Sequence, residues 1–99
     1  MRQPVHRFRV PPEVAALIRD LHPGLKKKVR AALDEILREP CCGKALRQEL
    51  KGLHSLRVGR FRIIYRTAGD RQIDIVAIGP RERIYEETLR LVSRSKVKT

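Results

Sequence analysis

The sequence has no tryptophan, and two phenylalanines and two tyrosines are its whole aromatic complement. Phe8, Phe61, Tyr65 and Tyr85 offer too little ring surface for a sequence-tolerant single-strand stacking platform, so an anionic polymer would be held mainly through its phosphates. The two cysteines, Cys41 and Cys42, are adjacent, which is poor geometry for a bridge and not the C-x-x-C spacing of a zinc or redox site. His6, His22 and His54 are dispersed with no acidic pair beside them, so no metal site and no cofactor is expected. No apolar run reaches transmembrane length, and Met1-Arg2-Gln3-Pro4 leads into polar alternation rather than a signal-peptide core. These absences predict a reduced, cytoplasmic protein without a membrane partner. Acidic residues are also short: 11 Asp+Glu against 23 Lys+Arg leave a formal charge of +12. Self-repulsion of that size on a small body points to an anionic partner, nucleic acid first.

What is present is enough for one core. With 99 residues and 41% hydrophobic content, the chain suits a single domain, residues 1–99, and is too apolar for a disordered basic tail. His6 to Val10 alternates as a short strand that Pro11-Pro12 ends. Val14, Leu17, Ile18 and Leu21 form one helical stripe. After His22-Pro23-Gly24, a second helix carries Leu25, Val29, Ala32, Leu33 and Ile36 on one face and ends by Glu39-Pro40. The short turn between the two predicts an antiparallel helical hairpin. Cys41 to Lys44 reads as a loop, and Ala45 to Gly52 fits either a loop or a short helical turn.

Leu53 to Val58 and Phe61 to Arg66 read as strands joined by Gly59-Arg60, the two-residue signature of a type II′ hairpin. A third strand, Ile73 to Ile78, follows a turn at Gly69-Asp70. A short helix, Arg81 to Leu91, closes the domain, with Ile84, Thr88 and Leu91 or Tyr85, Leu89 and Val92 inward. Residues 93–99 read as a frayed basic tail. The fold class is therefore α+β: an antiparallel sheet with the N-terminal helical hairpin on one face, a short C-terminal helix, and the second sheet face open.

The turn fixes a register in which Val58 faces Phe61, Arg57 faces Arg62, Leu56 faces Ile63 and Ser55 faces Ile64. Alternation sends Leu56, Val58, Phe61, Ile63 and Tyr65 toward the helices and Arg57, Arg62 and Arg66 to the open face. Opposed arginines are unfavourable unless an anion sits between them, and a phosphate would serve. Lys44, Arg47, Lys51, Arg60 and Arg66 extend the cluster as candidate RNA-phosphate contacts. Lys26, Lys27 and Lys28 at the start of the second helix are candidates too, or simply a solvated face. Arg81 would join Arg57 and Arg62 at one rim, with Tyr85 one helical turn later sharing its face.

The blocks Leu50 to Tyr65, containing RVGRFRIIY, and Ile78 to Glu86, containing IGPRERIY, resemble the RelE/ParE superfamily of bacterial and archaeal type II toxins. The likeness in organisation runs over nearly the whole chain. It implies a helical hairpin on an antiparallel sheet. For the RelE branch it implies a metal-independent endoribonuclease that cuts mRNA on the ribosome through attack of a 2′-hydroxyl on the adjacent phosphate. Carried over to this sequence, Arg62 and Arg81 match the phosphate-stabilising arginines, Arg57 a basic strand position, and Tyr85 a tyrosine that orients or stacks on the substrate. Ser55 departs from the pattern by standing where RelE has a catalytic lysine. Arginine stays protonated to about pH 12 and serine needs a base of its own, so Glu49 and His54 are the candidate general bases. Alternation nevertheless directs His54 with Tyr65 toward the helices.

The same resemblance implies a cognate antitoxin as protein partner, and mRNA and ribosomal RNA as nucleic-acid contacts. Its ParE branch implies the competing reading, a non-catalytic toxin that poisons DNA gyrase through protein contacts.

Overall fold

The computed structural model describes residues 7–68 and 71–97, the side chains of Glu49 and of residues 93–97 excepted. His6, the Gly69-Asp70 turn and the last two residues of the tail lie outside the described residues. Along the chain come β1 (Arg7–Arg9), α1 (Pro12–Arg19), α2 (Pro23–Arg38), β2 (Lys44–Ala45), β3 (His54–Val58), β4 (Phe61–Ala68), β5 (Gln72–Pro80) and α3 (Ile84–Val97). Two 3-10 turns, Pro40–Cys42 and Gln48–Leu50, flank β2 and resolve the stretch that fitted either a loop or a helical turn.

Prolines open both helices of the hairpin, where a missing N–H costs nothing. At α2 the His22 Nδ1 caps the first turn by accepting the Gly24 N–H at 3.2 Å. Gly59 turns the β3–β4 hairpin at a φ of 60°, the positive value a type II′ turn requires at its first central position. The cross-strand pairs are those the turn predicts: Val58 with Phe61, Arg57 with Arg62, Leu56 with Ile63 and Ser55 with Ile64.

The five strands lie in the order β1-β5-β4-β3-β2. Four are antiparallel neighbours; β1 adds a parallel edge, pairing Arg7, Phe8 and Arg9 with Gln72, Ile73 and Asp74. The architecture is the expected α+β arrangement with a mixed rather than wholly antiparallel sheet. The parallel edge is possible because the helical hairpin and three strands intervene between β1 and β5, ample length for a crossover.

One sheet face packs on the hairpin. Val58, Ile63, Tyr65, Ile73, Ile75 and Ile78 join Val29, Ala32 and Ile36 in a buried cluster. The second face is not open, as the strand pattern predicted. There Leu53, Ile64 and Ala77 pack on Ile84 of α3, with Tyr85 and Val92 against them. The reason lies in β4: Ile63, Ile64 and Tyr65 are all fully buried, and three consecutive buried strand residues require cover on both faces. α3 supplies it through Ile84, Tyr85, Thr88 and Val92, and leaves Leu89 and Leu91 exposed. The inward stripe thus draws on both expected sets, and the helix runs to Val97 rather than ending at Leu91.

Between β4 and β5 the register slips. Ile64 pairs with Ala77 but Tyr65 with Ile75, so Val76 is an inserted residue. The bulge lets Ile75 and Ile78, three apart, enter the same core.

Tyr65 ties the hairpin to the sheet. Its hydroxyl donates to the Pro40 carbonyl at 2.7 Å and accepts the Gly43 N–H at 2.9 Å. A Cβ at position 43 would stand 2.6 Å from that oxygen, so the close approach needs glycine. Burial pushes the Tyr65 phenol above its ordinary value of 10.0, with the Gly43 N–H partly opposing the rise. The unfolded chain therefore releases this proton first. The stabilising contribution is fully present below pH 10 and lost as pH climbs through 10 toward the folded value. Tyr65→Phe should cost about 1–3 kcal/mol at neutral pH by stranding the Pro40 and Gly43 groups. In urea titrations across alkaline pH, the variant should lose stability less steeply than the parent.

Candidate functional site

Alternation along β3 and β4 places Ser55, Arg57, Arg62 and Ile64 on the face that α3 covers, and the cross-strand pairs build rows there. Lys44, Ser55, Ile64 and Ala77 form one row; Arg57, Arg62 and Gly79 form the next, toward the Gly59 turn. α3 covers the first row and the Gly79 end of the second. Arg57 remains exposed and Arg62 half-buried.

Arg62 is held in place by neighbours on two elements. Its Nη1 donates to the Ser55 Oγ at 3.0 Å, and that Oγ lies 3.2 Å from the Tyr85 hydroxyl, with either hydroxyl able to donate. The Arg62 guanidinium carbon stands 5.8 Å from the centroid of the Tyr85 ring, within cation–π range. Ser55 is only 2% exposed, so it acts as an internal bracket between strand and helix and offers no free nucleophile. Arg57, directly across from Arg62, adds a second guanidinium on the same face.

Arg81 reaches this end of the sheet differently from the expected helical spacing. Its N–H donates to the Arg60 carbonyl at 2.8 Å, prolonging the β4–β5 ladder by one step past Pro80. α3 begins only at Ile84, so Arg81 and Tyr85 do not share a helix face. The Arg81 backbone continues β5 two residues past Gly79, and Tyr85 reaches Arg62 from α3.

The wider cation set divides. Lys44 joins the site face through its pairing with Ser55, and Arg60 joins through the hairpin turn. Arg47 and Lys51, both exposed, bracket the 3-10 turn that packs against α3. Arg66 does not belong to the cluster: its Nε binds Asp74 Oδ2 at 3.3 Å, while Arg9 approaches the other carboxylate oxygen at 3.7 Å. Arg66 lies four residues along β4 from Arg62, about 13 Å at strand rise. Lys26, Lys27 and Lys28 sit on α2, across the sheet from Arg57 and Arg62.

The two candidate bases fare differently. His54 pairs with Tyr65 and stacks on its ring with centroids 5.3 Å apart, on the hairpin face, so the sheet separates it from the arginines. Its Nδ1 is buried without a hydrogen-bond partner. Glu49 lies on the second 3-10 turn, and its side chain is outside the described residues. A carboxylate that sequence reading missed lies over the same face: Glu87 Oε1 would be 3.5 Å from a Cβ at Gly79, the side-chainless end of the arginine row. Only the packing of α3 reveals it. Among the described residues, no group of three or more His, Cys, Asp or Glu is placed to hold a metal ion, and no helix is long and apolar enough to cross a membrane.

Chemically, the held Arg62 guanidinium and the exposed Arg57 opposite it suit an anion, with the Tyr85 ring beside them. Ser55→Ala should remove the shared acceptor and lower stability by about 0.5–1.5 kcal/mol in urea titrations. Combined with Tyr85→Phe, the loss should be smaller than the sum, because both substitutions break the same hydrogen bond.

Comparison with known proteins gives the family. Residues 13–85 match the model of the ParE toxin of type II toxin-antitoxin systems. No curated protein sequence matches the chain. Among solved structures, a chain of the RelBE2 toxin-antitoxin complex of Mycobacterium tuberculosis is 29% identical, with a TM-score of 0.67 over 80% of this chain and 100% of that one. A chain of the archaeal RelE-RelB complex of Pyrococcus horikoshii is 24% identical, with a TM-score of 0.66 over 79% and 97%. The isolated E. coli RelE toxin is 15% identical, with a TM-score of 0.68 over 88% and 98%, a likeness of fold alone. With the matched residues spanning most of the sheet and both helices of the hairpin, the chain belongs to the ParE toxin family of type II toxin-antitoxin systems, within the RelE/ParE superfamily.

Proposed function

We propose that this toxin inhibits translation by cutting mRNA on the ribosome, as a metal-independent endoribonuclease restrained by a cognate antitoxin. The observation that carries the reading is the Arg62 guanidinium fixed between Ser55 and Tyr85, opposite Arg57 and beside Arg81. A toxin acting only through protein contacts has no need to immobilise a guanidinium against an aromatic ring.

In the proposed reaction the 2′-hydroxyl of one nucleotide loses its proton and attacks the adjacent phosphorus. The P–O5′ bond breaks, leaving a 2′,3′-cyclic phosphate and a 5′-hydroxyl. Negative charge grows on the non-bridging oxygens at the pentavalent stage, where Arg62, Arg57 and Arg81 would offset it. Arg62 is favoured for this role because its bracket removes the reorganisation a free side chain would undergo. The Tyr85 ring would stack on or align the neighbouring base. Lys44, Arg47, Lys51 and Arg60 would hold flanking phosphates, and Lys26 to Lys28 and Arg66 would contact RNA away from the scissile bond.

An antitoxin suits the excess of positive charge. An acidic, amphipathic chain would associate fast with a +12 surface, and salt would slow it. The similar RelBE2 structure is a toxin-antitoxin complex, and the similar archaeal structure is a RelE-RelB complex.

The second reading, a gyrase poison, draws on the ParE description of the matching family model and on Ser55 in place of a lysine. Expression without antitoxin separates the two. Primer extension should show mRNA ends only in transcripts under translation, and Arg62→Ala should reduce cleavage by about a hundredfold or more. Intact transcripts with gyrase-dependent DNA breaks would establish the second reading instead.

A further inference from the structure

The proposed reaction needs a proton acceptor, and the geometry points to one. We infer that Glu87 is the general base that removes the 2′-hydroxyl proton; the inference rests on the nuclease reading above. Glu87 lies on α3, two residues past Tyr85, and its carboxylate hangs over the sheet at the end of the Arg57-Arg62-Gly79 row. A Cβ at Gly79 would stand 3.5 Å from Glu87 Oε1, an ordinary contact that places the carboxylate directly over this position, and 3.0 Å from Ile84 Cδ1, the close neighbour that favours glycine here.

Three further observations favour this group. The ion pairs among the described residues engage Arg9, Arg19 and Arg66 with Asp20 and Asp74, and Glu87 is in none of them. Among the described side chains no cation therefore holds its carboxylate. His54 is walled off by the sheet, and the Ser55 hydroxyl is committed to Arg62 and Tyr85. A phosphate seated between Arg57 on β3 and Arg62 on β4 would lie about one and a half strand spacings, about 7 Å, from the Gly79 position over which the carboxylate hangs. The 2′-oxygen of the same nucleotide step would then fall between phosphorus and carboxylate.

The step balances without a further reactant. Glu87 takes the 2′-hydroxyl proton as the O2′–P bond forms and the P–O5′ bond breaks. The departing 5′-oxygen takes a proton from water, and Glu87 returns its own to solvent.

A general base differs from a mere neighbouring charge in what its removal does. Taking away a negative charge beside a phosphate site should tighten RNA binding, whereas removing the base should slow the chemical step. The test is single-turnover cleavage of a defined mRNA on programmed bacterial ribosomes across acidic to alkaline pH. Parent toxin is compared with Glu87→Gln, Glu87→Asp, Glu86→Gln and Glu49→Gln. Glu87→Gln should bind programmed ribosomes at least as tightly as the parent, cleave about 10²–10⁴-fold more slowly, and lose the acidic limb of the pH profile. Glu87→Asp should restore part of the rate and the limb, and Glu86→Gln should behave as the parent. The inference is overturned if the parent cleaves and Glu87→Gln stays within about threefold of it with the limb intact. It is equally overturned if Glu49→Gln alone removes the limb. A parent that leaves ribosome-bound mRNA uncut overturns the nuclease reading and the base with it, a result distinct from the other two.

Discussion

Cross-strand register between β3 and β4 is the constraint on which the site and much of the core depend. Gly59 takes the positive φ that a two-residue turn demands, and from it follow the pairs Val58-Phe61, Arg57-Arg62, Leu56-Ile63 and Ser55-Ile64. A slip of one residue would carry Val58 and Ile63 out of the core and the two arginines into it. The apolar side chains of this hairpin thus hold the guanidiniums in opposition, although like charges across a strand pair repel by some part of about 0.2–1 kcal/mol. Ser55 reduces the freedom of one of them. By accepting from Arg62 and touching the Tyr85 hydroxyl, it makes the orientation of a strand side chain depend on the docking of α3.

That dependence explains what the sequence made legible and what it did not. The helical hairpin, the strands of the meander and the Arg57-Arg62 opposition follow from spacing within short stretches: stripes at three and four, alternation at two, and a glycine at the turn. The cover over the second sheet face was legible only in part. Ile63-Ile64-Tyr65 looks like alternation with one apolar residue to spare, and that spare residue, Ile64, is the one packing on Ile84. Val76 confused the pattern further, because a bulge converts a period of two into a step of three and lets Ile75 and Ile78 share a face.

The site was legible in its residue types and not in its assembly. Arg57 and Arg62 follow from local pairing. Tyr85 and Arg81 stand only four apart in sequence, yet one lies on α3 and the other extends the β5 ladder, so helical spacing misassigned their relation. Arg66 looked equivalent to Arg62 by alternation until Asp74, an acidic residue in an otherwise apolar strand, claimed it. Glu87 had no local signal, since its relation to the arginines passes through the missing side chain of Gly79.

The electrostatic design that results is asymmetric. Asp74 lies between Arg9 and Arg66 at one end of the second sheet face and also accepts from Gln72, so two cations there have a partner inside the fold. At the other end Arg57, Arg60, Arg62 and Arg81 gather without an equivalent carboxylate among their ion pairs. An anion approaching Arg57 and Arg62 meets guanidiniums that no carboxylate holds in an ion pair among the described residues, and its arrival would relieve the repulsion between them. Binding and folding are linked by that relief: a ligand favouring the opposed arrangement stabilises the native state in proportion to its occupancy. On the nuclease reading, the register that sets the two guanidiniums opposite each other would favour a compact anion of high charge density between them.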